Sequence, residues 1–485
     1  MSEPKRLHPV AAVSHSLRTL KEAILPIIIF FVFGGNRDSK WDFIELYLAP
    51  VVLITIFALG VLSWMRFTYR IEEGELRLES GVFIRKKRYI RFERIQSIDV
   101  SEGILQRLFG LVQLKVETAG SSGADQADAV LSAITKQEAD EIMLVLSEEK
   151  KRRLMDLNDI DEADGESERE IPHRVFQMPF KELFLMAATS GGVGVVFSGA
   201  MAFFSQFEEM IPYKRIFKGL GQFVQTGILF IILAVIAGLL IAYIIATAGI
   251  VMKYAFFTVK KTEDELIISR GLMERRQLTI PLKKIQGIRI TENIIRQPLG
   301  FASVIVEYAG GSVMDKENSQ VMLFPLIKKG RVALLLKEFV PEFETGEGMA
   351  ELPQRAFLRY LFRQWIIVLP VVAGCLLFLR PWGYAAILLL PLSAGWAYLC
   401  YRSGGWSITG DQLLLRYRFL SQETLFVKKR RIQVLESNNS WFQGRKQLAT
   451  ISATIKSGLG PRAGRVVDLE LQDAEDIKQW FSLKR

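Results

Sequence analysis

Cysteine and histidine are scarce: the chain of 485 residues has two of the first and three of the second. Two cysteines exclude a disulfide framework. Cys375 and Cys400 both lie in apolar runs, where they read as small buried hydrophobes. His8, His15 and His173 are far from both, so nothing has metal-ligand spacing. A Gly-rich phosphate loop and a Ser-His-acid set are missing too, and on that ground the chain is read as a non-enzyme with no cofactor and no metal. Nor is charge of one sign in large excess. The balance of 62 basic and 52 acidic residues leaves +10, too small and too dispersed to imply a nucleic-acid partner.

What the chain does have is long uncharged runs. Half of its residues are apolar and its mean hydropathy is +0.21. A membrane-spanning helix needs about 20 apolar residues, a strand only about 5 to 6, so run length separates the two. Ile44 to Trp64 and Gln222 to Met252 pass as strong spans, and Leu183 to Phe204 adds the small residues that let membrane helices approach closely. Gln364 to Leu379 and Trp382 to Cys400 form a pair split by Arg380-Pro381, and Ala23 to Gly35 is read as a shorter, retained first span. Six spans in three hairpins put all the intervening segments on one side. Lys5, Arg6, Arg18 and Lys21 before the first span, Arg66 and Arg70 after the second, and Arg355, Arg359 and Arg363 before the fifth assign that side to the cytoplasm, against Lys214, Arg215 and Lys218 in the second hairpin loop.

The polar segments repeat. Phe67-Thr68 and Glu73-Gly74-Glu75-Leu76 return as Phe257-Thr258 and Glu263-Asp264-Glu265-Leu266, and the same offset of 190 carries Gly81 onto Gly271, Arg94-Ile95-Gln96 onto Lys284-Ile285-Gln286 and Gly110 onto Gly300. A diverged third copy at offset 337 has Arg431-Ile432-Gln433 and Trp441-Phe442-Gln443, with Arg418 and Gln447 where the others have glycine. Turns that could use glycine's positive φ are expected to be made differently there. Alternation at Leu76, Leu78, Val82, Ile84, Ile95, Ile98 and Val100 predicts strands. Each copy closes on an amphipathic helix: after the capping-box pattern Thr135 to Glu138, over Val332 to Phe339, and after Asp473 as N-cap. A small barrel or sandwich with one C-terminal helix is the expected form of each copy.

In this order of elements the chain resembles the bacterial PH-like domain family, and its threefold plan resembles the YdbT-like multipass membrane proteins. Arg6-Leu7-His8-Pro9 and Thr189-Ser190-Gly191-Gly192 extend the likeness. The resemblance implies a PH-like fold of about seven strands and a helix for each copy. The expected class is membrane α-helical hairpins plus α+β, in three repeats. The expected division is a first segment and hairpin (1–65), PH-like domain (66–155), acidic linker (156–178), hairpin (179–252), domain (253–345), linker (346–360), hairpin (361–401) and domain (402–485). The resemblance further implies a smaller, single-copy PH-like membrane protein as partner and a link with resistance to membrane-active peptides.

Two features are candidate partner or lipid surfaces. One is the repeated basic-Ile-Gln element, Arg94 and Gln96, Lys284 and Gln286, Arg431 and Gln433, which reads more readily as a core Ile flanked by residues that close a turn. The other is basic: Arg85 to Arg88 with Arg91, Arg275-Arg276 with Lys283, and Lys428, Lys429, Arg430 and Arg431. Anionic headgroups contribute about 1 kcal/mol per basic residue near the surface. Domain charges of +1, +4 and +7 make the third copy the basic one. Such runs are also ordinary solvated strand edges. Protein binding and assembly is the leading reading, with membrane lipid second. Transport is third, because the third, fourth and sixth spans carry no ionisable residue mid-membrane.

Overall fold

The computed structural model describes residues 4–14, 16, 42–72, 74–118, 129–145, 174–190, 228–308, 321–346, 348–379, 382–457 and 460–482. Three helices there are long and apolar enough to cross a membrane: Ile236–Tyr254, within the longer helix Ile228–Tyr254, Gln354–Phe378 and Gly383–Ser403. A helix over Asp42–Met65 covers the span expected at Ile44 to Trp64. The last two helices form the expected hairpin, with Phe357 of one packed edge-on to Tyr398 of the other at 6.0 Å. Of the span expected at Leu183 to Phe204, the helix Phe180–Ala188 is seen at its start, its Leu183, Met186 and Ala187 buried. The span expected at Ala23 to Gly35, the Lys214, Arg215 and Lys218 loop and the acidic linker's 156–173 lie outside the described residues.

The first copy supplies β1 (Lys5–Arg6), β2 (Thr68–Glu72), β3 (Glu75–Ser80), β4 (Lys86–Arg91), β5 (Ile95–Glu102), β6 (Leu111–Thr118) and β7 (Ala129–Thr135). The second supplies β8 (Arg174–Gln177), β9 (Thr258–Lys261), β10 (Glu265–Arg270), β11 (Arg275–Pro281), β12 (Ile285–Glu292), β13 (Phe301–Tyr308) and β14 (Val321–Lys328). The third supplies β15 (Ala350–Glu351), β16 (Gly405–Thr409), β17 (Gln412–Arg418), β18 (Gln422–Lys428), β19 (Ile432–Asn438), β20 (Leu448–Ser457) and β21 (Gly460–Glu470). Seven strands per copy match the expectation. Their pairing does not match a set of self-contained barrels.

Each copy divides its strands between two sheets and shares one with its neighbour. The sheets run β1-β2-β3-β4, then β7-β6-β5-β11-β10-β9-β8, then β14-β13-β12-β18-β17-β16-β15, then β19-β20-β21. The division falls at the basic-Ile-Gln element. A 3-10 turn ends on Arg94, Lys284 or Arg431, and the following strand carries a bulge that skips Gln96, Gln286 or Gln433. An extra residue in one strand bends it and increases its twist, turning β5 and β12 out of their own first sheet and onto the next copy.

Short strands that precede the apolar segments in sequence complete the domains. β1, β8 and β15 pair with β2, β9 and β16, so Arg174–Gln177 and Ala350–Glu351 belong to domains where linkers were expected. Two to four paired residues are too few for an alternation signal. Leu7, Met178 and Leu352 follow at equivalent places, Leu7 and Leu352 buried and Met178 packed on the second core. By this register the counterpart of His8 is Pro179, and His173 lies outside the described residues.

Helix ends behave largely as their sequences suggest. Glu138 accepts from the Thr135 backbone N–H at 2.9 Å while its own N–H donates to Thr135 Oγ1 at 3.2 Å, closing the capping box over the helix 136–145. In the third copy the helix is Leu471–Ser482, so Asp473 sits in its first turn instead of at its N-cap, and accepts from Trp406 Nε1 at 3.1 Å.

The glycine turns divide as well. Gly81 and Gly271 have φ of 111° and 108°, and a Cβ at either would lie 2.0 Å from a carbonyl oxygen three residues on. Arg418 avoids this by staying in the strand, paired with Gln422 across a shorter hairpin. Gln447 instead keeps the left-handed φ of its glycine counterparts, 54° against 65° and 72°. An L-residue there costs roughly 1 to 2 kcal/mol. Replacing exposed Gln447 by Gly is therefore expected to raise the melting temperature of the detergent-solubilised protein, by about 1 kcal/mol of stability after glycine's own chain-entropy cost.

Candidate assembly interface

Neighbouring copies are joined by main-chain hydrogen bonding. β5 of the first copy pairs antiparallel with β11 of the second, and β12 of the second with β18 of the third. Both joints have one register. Arg275 faces Glu102, and their repeat counterparts Gln422 and Glu292 face each other in turn; Thr279 faces Ile98 as Phe426 faces Ile288. Two diverged sequences meeting in the same register make the joint a property of the repeat.

A buried carboxylate holds each joint. Glu117 accepts from Ser97 Oγ at 2.6 Å within its own copy and from Tyr308 OH of the next at 3.4 Å. Its counterpart Glu307 accepts from Arg289 Nε at 2.9 Å and from Ser457 Oγ of the next copy at 2.8 Å. Arg289 also donates to Tyr417 OH at 2.9 Å and to Glu423 across the second joint at 2.5 Å. Burial alone would depress this guanidinium, but the charges of Tyr417, Glu307 and Glu423 outweigh it and hold Arg289 above its ordinary range. At the first joint burial pushes the Asp99 carboxyl up to about 6, against the pull of Arg276 and Lys115. A small cavity of about 30 Å³ lies there between Asp99, Arg270, Arg276, Leu278 and Val321.

Polar contacts also fix the second and third domains on apolar helices. Asp468, fully buried at φ 61°, accepts from Arg359 and Arg363 of the helix Gln354–Phe378 and from Gln443 Nε2, each at 2.8 Å. Arg359 and Arg363, read from sequence as sidedness signals, are thus anchors too. In the second copy Arg296, at the counterpart of Gln443, donates to Thr189 Oγ1 at 2.9 Å and to the Met186 carbonyl at 3.1 Å.

At the membrane end the surface is apolar. The β10–β11 turn is tied to the helix end by Leu272 N–H donating to the Met252 carbonyl at 2.9 Å and Gly271 N–H to that of Ala255 at 2.8 Å. Exposed at this turn and its counterparts are Phe83 and Ile84, Leu272 and Met273, and Phe419 and Leu420. The turn after β5, β12 or β19 adds Leu108 and Phe109, Ile294 and Ile295, and Trp441 and Phe442. Sequence reading missed this rim because its members are adjacent pairs spread over six turns, and it took Val82 and Ile84 for strand positions, whereas both lie in the turn between β3 and β4 with Ile84 exposed.

The residues singled out from sequence are mostly structural. Ile285 and Ile432 are core, and Gln286 Nε2 donates to the Lys284 carbonyl at 2.9 Å, closing its turn. Arg94 and Gln433 are exposed, and Gln96 is the bulge residue of β5. Lys428 is paired with Asp411 at 2.7 Å, and Lys429 donates to the Trp480 carbonyl at 2.5 Å and lies over that ring. Arg430 meets Glu342 at 2.9 Å, and Arg431 donates to the Lys283 carbonyl, both in the second copy. Half of the cluster is paired within the third copy, and only Arg430 and Arg431 hold copies together. Arg85 and Lys87 share Glu79 in the first copy.

Residues 23–150, 215–339 and 364–485 each match the bacterial PH domain family. The chain belongs to that family. It is 40% identical, over the whole of its length and 99% of the relative's, to the UPF0699 transmembrane protein YdbT of Bacillus subtilis (strain 168). A second relative from the same organism, the UPF0699 transmembrane protein YdbS, is 24% identical over 90 residues, covering 19% of this chain and 53% of that one. The three bacterial PH domains are therefore a repeat within a membrane protein.

Two substitutions test the joints. Arg289→Met leaves buried Glu307 and half-buried Glu423 without their cation and is expected to destabilise the protein by about 3 kcal/mol in unfolding assays. Asp99→Asn acts the other way. Because the folded pKa is raised from 3.8 to about 6, the ionised carboxylate weakens the joint above pH 6 and not below pH 4. The variant should melt above the parent at pH 7.5, with the gain vanishing by pH 4.

Proposed function

We propose that this protein is a membrane scaffold that presents three bacterial PH domains in a row and binds protein at their strand edges, with the domains on the cytoplasmic side. The observation that carries the reading is the common register of the two joints. A joint that works between two diverged pairs of copies is reusable, and strand addition supplies affinity through the main chain. A smaller membrane protein of the YdbS kind is the partner we infer for such a joint, supported by its 24% identity over 90 residues, about the length of one repeat. The basic residues flanking the spans support the cytoplasmic side. Resistance to membrane-active peptides is the physiological setting proposed for the assembly.

Purification from native membranes in mild detergent, with mass spectrometry of proteins and lipids, is expected to recover a stoichiometric protein partner or copies of the chain itself. Recovery of neither would sink the scaffold reading. A deletion strain should be more sensitive to membrane-active peptides than its parent.

Lipid contact is the second reading, favoured by the apolar rim more than by the basic clusters. Apolar side chains beside a helix end insert among headgroups as interfacial anchors do. On that reading Phe83→Asp with Phe419→Asp lowers protection of the rim from a water-soluble quencher in anionic vesicles. Neutralising Lys428 to Arg431 loosens the second joint without lowering that protection.

A further inference from the structure

We propose that the two ends of the three-domain row are complementary and join copies of this chain head to tail, β4 of one chain adding to β19 of the next in the register of the internal joints. This rests on the assembly reading above and names its partner and its strands. Each internal joint uses a β4-type strand from one domain and a β5-type strand from the domain before it. One of each kind is left at the ends. Among the described residues no strand pairs with the outer edge of β4, and none with that of β19.

Charge selects which ends fit. At both internal joints one pair of positions, diagonal neighbours across the ladder, carries opposite charges: Arg276, itself paired with Glu274, attracts Asp99 at the first, against the cost of burying that carboxylate, and Glu423 pairs with Arg289 at the second. The counterparts at the open ends are Lys86 on β4 and Glu436 on β19, again opposite and with the polarity of the first joint. Both side chains are exposed, and neither has an ion-pair partner among the described residues. The same register sets Lys87 opposite Ser437, as Gln277 faces Val100 and Thr424 faces Ile290. Exposed Val434, 47% accessible on the β19 edge, gains a neighbour strand. Thr454 stands where Glu117 and Glu307 anchor the internal joints, so the end joint lacks that carboxylate and is weaker than they are. An interface between unlike surfaces of identical chains closes into a ring or continues as a filament in the plane of the membrane.

The test uses the full chain in its own membranes. A Lys87→Cys, Ser437→Cys variant under mild oxidation is expected to give a disulfide-linked ladder of dimers and higher species, absent from either single variant and from the parent with its native Cys375 and Cys400. Adding Lys86→Glu should cut the ladder about tenfold by setting like charges together, and Glu436→Lys in the same chain should restore it. Both charges are on the surface, so rescue by the double reversal separates loss of pairing from loss of folding. No ladder, or a ladder indifferent to these charges, overturns the proposal. So does a photo-cross-linker at position 87 that captures a different PH-domain protein, although that result leaves the scaffold reading standing. Failure of both cross-linking and co-purification removes the two together.

Discussion

Everything in this molecule hangs on a backbone ladder that crosses domain boundaries. A β-strand at the edge of a sheet exposes a row of N–H and C=O groups that must find partners or water. Here β5 and β12 leave their own copy's first sheet and satisfy that edge on the next copy, so two of the four sheets have seven strands drawn from two domains each. The domains are then not beads on a string. Phe426 and Leu414 of the third copy pack into the core of the second, and the ladder carries that packing from one copy to the next.

A shared sheet imposes its own electrostatics. Side chains that would face water on an isolated domain are enclosed at the joint, and charge enclosed in low dielectric must be paired. Glu117, Glu307 and Arg289 are held in that way. The third copy's basic residues show the same pressure, with Arg430 and Arg431 reaching back to Glu342 and Lys283. The hairpins join the scheme through Asp468 and Arg296, so membrane helices, domains and joints form one connected set of contacts.

How far this was legible from sequence depends on the range of the interaction. The offsets of 190 and 337 reveal the repeat because homologous positions keep similar residues, and the long uncharged runs reveal helices because only length distinguishes a span from a strand. The Thr135 to Glu138 box was readable since its atoms are three residues apart. Asp473 misled because a Trp406 N–H from a distant strand, and no cap, is its partner. The basic cluster at Lys428 read as a lipid surface because its acceptors, from Asp411 to Lys283, lie in other elements. Gln96, Gln286 and Gln433 were visible as a repeated residue but not as a bulge, which exists only relative to a partner strand.

By itself, then, the sequence determined what each piece is: three PH-like units, long apolar helices between them, strands by alternation and one helix by its capping box, all effects carried within a few residues or within one unit. The tertiary structure alone decided which edge meets which. Alternation says that a strand has two faces and nothing of its neighbour, because main-chain hydrogen bonds are the same for every residue type. The choice between closing each barrel and sharing its strands was made by a bulge, a register and a few enclosed charges, quantities defined between segments about 180 or about 140 residues apart.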